Sequence, residues 1–397
     1  MTVRLWAVGI SFFSSLSFML FQGGKLALML FVIVAILSVY LLLGKWSGIR
    51  KTTGTRQLVQ DHESQIEAGS SVTINMQLQI PGVWPIPYVF INERLIHRNG
   101  QELAFQFTVV PDWRRKGAIE YKTPALRRGY YSFSQTECVT EDIFGLFEHK
   151  GYVSMPFNLA VLPQTISIRD WHQFHQMMKG TNHHSTTTRA VRETTQINGV
   201  REYIYGDRLS RIHWNATAKT GTWKSKEFER ESLPRTFVVL DRHSSAYDND
   251  DQFELAVSAC ASLFQYGSSR NFALGLISTG ADSTFFEPRA GQHLQKAVMQ
   301  HFIGVEADGS HPVRRVLKEY VQNLAPGSFV TIVSPVEGEA MMQALSWLKQ
   351  LQLNPCHLLI TDNPQSKEAW IKKLRSNGFL GYAISSLQEL PVALKGR

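Results

Sequence analysis

Residues 201–221, REYIYGDRLSRIHWNATAKTG, place Arg201, Arg208 and Arg211 beside Glu202, Asp207 and His213, in a stretch with neither helical nor strand periodicity. Guanidinium groups offer paired N–H donors to a carboxylate or a phosphate, and an imidazole oriented by a carboxylate can move a proton. One reading is therefore an enzyme or anion-binding site built from Arg201, Asp207, Arg211 and His213, with Glu202 or Asp207 orienting the histidine. The other is a structural clasp, in which Arg201, Arg208 and Arg211 pair with Glu202, Asp207, Glu227 or Glu229 while Trp214 and Phe228 bury against the neighbouring C-terminal domain. A clasp of this kind can also be a docking surface, anchored by its arginines and aromatics. The residues at stake are Arg201, Glu202, Tyr203, Gly206, Asp207, Arg211, His213, Trp214, Glu227 and Phe228.

Several elements must position them. Tyr205-Gly206-Asp207 is a turn signal, because glycine tolerates positive φ and aspartate bonds nearby amides. Residues 209–221 read as one or two helical turns ended by Gly221, and TWKSKEFERE as a strand. Elsewhere the chemistry is sparse. His183 and His184 are adjacent but lack a third ligand, so NHHSTTTR reads as a polar loop. The sequence holds no Walker loop, no G-x-S-x-G elbow, no H-E-x-x-H and no G-x-G-x-x-G, so it carries no catalytic signature and reads as a non-enzyme. Cys138, Cys260 and Cys356 are far apart, which suits buried thiols in a reducing compartment.

The chain opens with two apolar runs. Leu26–Leu43 is interrupted only by Ser38 and Tyr40, and Leu5–Phe21 is diluted by Ser11, Ser14, Ser15 and Ser17, whose hydroxyls can bond back to a helix backbone. With Gly23 and Gly24 between them, the runs predict a transmembrane hairpin rather than a cleaved leader, for which FQGGK offers no small-x-small site. Lys45, Arg50, Lys51 and Arg56 come after the second run against a lone Lys25 in the loop, which predicts a two-pass protein of the cell membrane with its C-terminal bulk in the cytoplasm. The net charge of +8 does not indicate nucleic acid, since residues 1–56 hold six of the 41 basic residues and none of the 33 acids. The bilayer is the partner this charge fits.

From about residue 57 to 168 short alternating runs such as SVTINMQLQI, LAFQFTVV, GAIEYKT and YYSFSQTECVT predict an all-β, immunoglobulin-like sandwich. VWPIPYVF, with two prolines, reads as an edge or connecting segment. Residues 169–234 form a linker with the charged motif. From 235 to 397 buried strands alternate with amphipathic helices, predicting a Rossmann-type α/β domain with ligand-facing loops beyond Asp241, Ser278–Thr284, Ser334 and Thr361.

Three stretches, RRGYYSF, TEDIFGLF and GVREYIYGDRLSRIHWNATAKTGTWKSKEFERE, resemble in order and spacing the marks of the bacterial "domain of unknown function 58" family. The resemblance spans nearly the whole chain. It implies a membrane-anchored protein with two N-terminal helices, a β-rich region, the motif and a von Willebrand factor A-like α/β end. It also implies a scaffold or adaptor for protein–protein interaction that works with a MoxR-type AAA+ ATPase and a transglutaminase-like membrane protein. Domains of the von Willebrand type hold Mg²⁺ through Asp-x-Ser-x-Ser, for which Asp241 and Ser245 are the candidates here. His243 replaces the middle serine and Arg242 adds a positive charge, which argues against a bound cofactor.

Overall fold

The computed structural model describes residues 2–59, 65–171, 191–205, 207–232 and 235–395. The His183–His184 pair and Gly206 lie outside these residues. Two compact units emerge, Met1–Leu162 and Pro163–Arg397.

The first unit begins with α1 (Thr2–Gln22) and α2 (Gly24–Leu43), both long and apolar enough to cross a membrane. Trp6, Phe21 and Leu26 are exposed, an arrangement unfavourable in water by about 25 cal/mol for each Å² of apolar surface left bare. Phe12 and Phe31 meet across the helix pair, with ring centroids 5.6 Å apart. Ser15 returns its hydroxyl to the helix, donating to the Phe12 carbonyl at 2.8 Å.

Two 3₁₀ turns, Gly44–Trp46 and Ile49–Lys51, lead directly into β1 (Thr53–Leu58). Strand β1 joins β2 (Thr73–Gln79) and β5 (Lys116–Lys122) in one antiparallel sheet. A second antiparallel sheet is centred on β3 (Val89–His97), which pairs along its whole length with β4 (Glu102–Val109). The other edge of β3 is shared by β6 (Gly129–Phe133) near Leu95–His97 and β7 (Thr136–Glu141) near Phe90–Asn92. Outside these lie β8 (Glu148–Val153) on β7 and β9 (Asn158–Val161) on β6. Alternate side chains from both sheets, among them Ile74, Met76, Ile91 and Leu95, fill one core. The run YYSFSQTECVT is two strands, broken at Ser134–Gln135. The proline-containing VWPIPYVF stays irregular through Tyr88, and β3 starts with its last two residues, Val89 and Phe90, past the prolines that block ladder hydrogen bonds.

The sequence places Arg56 in the basic flank after α2; the structure corrects this. Arg56 lies in β1 with its side chain buried, paired to the fully buried Glu93 of β3. Its guanidinium also donates to the Met155 carbonyl and, at 3.1 Å, to the Thr136 hydroxyl, and lies 3.9 Å from the Phe133 ring centroid. The Tyr121 hydroxyl donates to the other Glu93 oxygen. A buried charge persists only when paired and hydrogen-bonded in this way. Arg50 and Lys51 remain exposed as flank charges.

In the second unit six strands form one sheet in the order β14-β13-β12-β15-β16-β17. These are β12 (Thr236–Asp241), β13 (Leu274–Thr279), β14 (Thr284–Arg289), β15 (Phe329–Ser334), β16 (Asn354–Ile360) and β17 (Leu380–Ile384). Pairing is parallel except for β14, which runs antiparallel on β13. Helices α4 (Asp250–Ser269), α5 (Gln292–Gly304) and α9 (Leu390–Lys395) share a core with Val238 and Leu240 of β12. On the other face α6 (Val313–Tyr320), α7 (Glu339–Gln350) and α8 (Pro364–Ser376) pack with Phe237 and Val239. Burial on both faces explains why β12, β13 and β15 read as unbroken apolar runs. Ahead of the sheet, Trp171 is buried in the first of these cores and donates its indole N–H to the Tyr382 hydroxyl at 3.1 Å. On the second face the fully buried His357 accepts the Trp370 indole N–H at its Nδ1, 2.8 Å away.

Candidate functional site

The charged motif crowns an antiparallel ribbon of β10 (Val191–Glu202) and β11 (Lys224–Ser232). Register sets Arg201 opposite Ser225 and Glu202 opposite Lys224, with Gly199 opposite Glu227 and Ile197 opposite Phe228. Residues 203–223 close the ribbon. Strand β10 is not legible in the sequence, because its polar residues lack an apolar alternation; only its pairing with the better marked β11 gives it away.

Asp207 organises the turn. One carboxylate oxygen accepts from Arg201 Nη2 at 2.8 Å and the other from the Ile204 amide at 3.2 Å. The Arg201 guanidinium, followed by that amide, holds the Asp207 carboxyl below the usual carboxylate range. The stabilising charge is thus fully present above the ordinary carboxylate pKa and is lost only in acid, as pH falls through the lowered value. Tyr203 donates its hydroxyl to the Asp207 carbonyl at 3.1 Å and meets the Trp223 ring edge-on, centroids 5.4 Å apart. Glu202 pairs with Lys224 at 3.1 Å.

His213 has a backbone task. Its Nδ1 accepts the Ala216 amide at 3.1 Å, capping α3 (Trp214–Thr220), and Gly221 closes that helix in the left-handed conformation at φ 71°. Both carboxylates that could have oriented this imidazole, Glu202 and Asp207, are engaged with Lys224 and Arg201 instead. Arg208 is exposed and Arg211 half-buried. The structure therefore gathers Arg201, Tyr203 and Asp207 around one turn and places His213 at the start of α3.

Trp214 departs from expectation. Rather than burying against the α/β region it is 65% exposed, while Ile212, two residues earlier, is 1% exposed. Ile204, Tyr205, Leu209 and Trp223 are exposed as well. Sequence reasoning missed this group, whose one signal is the presence of large apolar residues inside a polar, non-periodic run.

The crest of the sheet is the second candidate. Strand order reverses at β12, whose last residue Asp241 is buried beside the ends of β13 and β15. Asp241 accepts from the Ser334 hydroxyl at 2.7 Å with one oxygen and from the His243 amide at 3.1 Å with the other. Burial pushes its carboxyl pKa up, opposed by these two bonds. Arg242 fills the neighbouring space: its guanidinium bonds Asp308 at 2.7 Å, the Glu306 carbonyl at 2.8 Å and the Ser278 hydroxyl at 3.4 Å. Ser245 is exposed, and Ser244 donates to the Gly309 carbonyl at 3.2 Å. Asp241 is thus buried and bonded to Ser334 and the His243 amide, whereas Ser245 is exposed, so the two candidate cation ligands stand in different surroundings. Among the described residues no cluster of three or more His, Cys, Asp or Glu side chains is placed to hold a metal.

This latch is testable. Asp241→Asn removes the desolvated charge but keeps an acceptor, so it should melt within about 1 kcal/mol of the parent. Asp241→Ala leaves the Ser334 hydroxyl and the His243 amide without their acceptor and should cost about 1–3 kcal/mol more. Equal melting of the two variants would mean that Asp241 is not the acceptor for both groups.

Known proteins resemble this chain in part. A curated relative, "Uncharacterized protein YeaD" of Bacillus subtilis (strain 168), is 26% identical over 319 residues, covering 76% of this chain and 75% of its own. Among solved structures, proximal thread matrix protein 1 from the mussel byssus aligns over 41% of this chain at 15% identity and a TM-score of 0.31. This chain spans 46% of that protein. BslA, a bacterial hydrophobin, aligns over 28% of this chain at 11% identity and a TM-score of 0.17. The family model described as "Protein of unknown function DUF58" matches residues 199–350, from the end of β10 through α7. The similarity to that family model thus falls on the turn around Asp207 and the central strands of the sheet.

Proposed function

We propose that the protein is a membrane-anchored scaffold or adaptor whose charged motif is a docking surface for another protein. One observation carries this reading: the turn around Asp207 pairs its own charges and turns Ile204, Tyr205, Leu209, Trp214 and Trp223 to solvent. Exposed aromatics held on a rigid, internally satisfied turn are what interface hot spots are made of. The two apolar helices support the anchor, and exposed Arg50 and Lys51 beyond α2 support a cytoplasmic location for the β and α/β units. The order 3-2-1-4-5-6 of β12–β17, with the third strand reversed, supports the von Willebrand A-like reading of the α/β region, and the two sheets around one core support the immunoglobulin-like one. A MoxR-type AAA+ ATPase is the proposed partner, with a transglutaminase-like membrane protein in the same assembly.

The test is capture of a purified MoxR-type ATPase by the full chain in detergent. Tyr205→Ala and Trp214→Ala should each weaken binding by about 2 kcal/mol, roughly thirtyfold in Kd, because truncation empties an anchor pocket on the partner. Both residues are exposed, so melting temperatures should stay at the parent value. Undiminished binding by both variants would place the interface elsewhere.

A further inference from the structure

The loops around the C-terminal end of α2 are tied into one body. Arg115, in the β4–β5 turn, donates to the Ser47 carbonyl just after α2, to the Trp84 carbonyl and, at 2.9 Å, to the Ile80 carbonyl. The 81–87 loop touches the last turn of α2 through Tyr40, whose ring centroid is 5.4 Å from that of Trp84. A crevice at this junction is lined by Tyr40, Ser47 and Trp84 together with Asp142, the first residue of the 142–147 loop DIFGLF. Gly48 makes the junction tight, since a Cβ there would lie 1.6 Å from the Pro81 carbonyl oxygen.

Each of these loops sends large apolar side chains into open space. Trp46 lies just past α2, Val83 (98% exposed) tops the 81–87 loop, Trp113 tops the β4–β5 turn, and Ile143 and Phe144 top DIFGLF. The acids nearby are engaged within the loops: Asp112 accepts the Lys116 amide at 2.7 Å, Glu141 accepts the Tyr88 hydroxyl at 3.2 Å, and Asp142 accepts the amides of Phe144 at 2.8 Å and Phe147 at 2.6 Å. Arg50, Lys51, Arg114 and Lys116 are exposed, and Arg114 covers the Trp113 ring at 4.5 Å from its centroid. Amphipathic aromatics and basic residues at the end of an apolar helix match the headgroup layer of an anionic membrane.

We propose that these loops form a membrane-interface collar, in which Trp46, Val83, Trp113, Ile143 and Phe144 enter the headgroup region of an anionic bilayer while Arg50, Lys51, Arg114 and Lys116 meet its phosphates. The collar rests on the membrane-anchor reading of α2 and extends it: the β unit lies on the bilayer instead of hanging from it by a tether. DIFGLF, one of the stretches that carries the family resemblance, thereby gains a task separate from the motif at residues 201–221.

Depth-dependent quenching tests this on the full chain. Cys138, Cys260 and Cys356 are buried, so an added surface cysteine can be labelled alone. Val83→Cys and Ile143→Cys, each carrying an environment-sensitive fluorophore, are reconstituted into phosphatidylcholine–phosphatidylglycerol vesicles with or without lipids brominated near the headgroup. Both labels should lose most of their fluorescence to the brominated lipid. Arg98→Cys is the control: it lies past the far end of β3, about 30 Å along the strand from the collar, and should keep its signal. Ile33→Cys, at an exposed position midway along α2, is read instead with lipids brominated deep in the acyl chain and separates the two readings. Quenching at Ile33 but at neither loop overturns the collar and leaves the anchor standing; no quenching at Ile33 overturns both. Equal quenching at Arg98 and Val83 also overturns the collar. Omitting phosphatidylglycerol should reduce quenching at Val83, and an unchanged signal would overturn the role given to the basic residues.

Discussion

Glu93→Ala should unfold the β unit well before the parent, at a cost of about 3–5 kcal/mol, because Arg56 would keep its charge in the core with no counterion. Glu93→Gln should also be costly. The amide can still accept from Tyr121, yet the guanidinium remains unpaired in a core that also holds the Phe133 ring. The double replacement Arg56→Met with Glu93→Leu removes both charges and should recover most of the loss, since buried pairs can give way to apolar groups of similar volume. The measurement is thermal melting of the detergent-solubilised chain, with protease cleavage inside residues 53–162 reporting which unit has opened. A Glu93→Ala protein that resists heat and protease like the parent would mean that water reaches this pair.

Acid should weaken the α/β unit through His357. Burial holds the His357 imidazole neutral and lowers its pKa from 6.5 to about 3, while the Trp370 indole N–H occupies its Nδ1. Between those values the unfolded chain binds a proton that the folded chain refuses. The stability this histidine supplies is therefore complete above about pH 6.5 and falls by about 1.4 kcal/mol per unit as pH drops toward 3. His357→Gln keeps an acceptor for Trp370 but cannot titrate. Its melting temperature should start below the parent at pH 7.5 and decline less steeply to pH 4.5. Parallel declines would show that His357 is solvated or protonated in the fold. The other histidines are present in both proteins and cancel from the difference.

These two sites also mark where sequence reasoning reached its limit. Apolar runs, turn residues and the alternation of strand with helix made the helix pair, most of the β strands and the α/β sheet legible, because each arises from a local pattern that burial imposes. Strand β3 escaped, since VFINERLIH carries Asn92, Glu93 and Arg94, and nothing local reveals that Glu93 faces a core containing Arg56 some forty positions earlier. Strand β10 escaped for the same reason: its partner lies beyond the intervening turn. In the motif the residue types were legible and their partners were not. Arg201, rather than Arg211, supplies the guanidinium to Asp207, and His213 serves its own helix. Pairing is set by the register of β10 on β11, a long-range property, whereas composition records only which charges are available.

The junction between α2 and β1 has a mechanical consequence. The chain passes from Leu43 to Thr53 through two 3₁₀ turns, a glycine with no room for a side chain and the Arg115 clamp, with no pliant linker in between. A helix of 20 residues is about 30 Å long and meets a thinner bilayer by tilting. If α2 spans the bilayer as proposed, the locked junction turns that tilt into a rotation of the β unit over the membrane plane. Bilayer thickness, a property of the lipid, would then set the angle at which the β-sheets are presented to their surroundings.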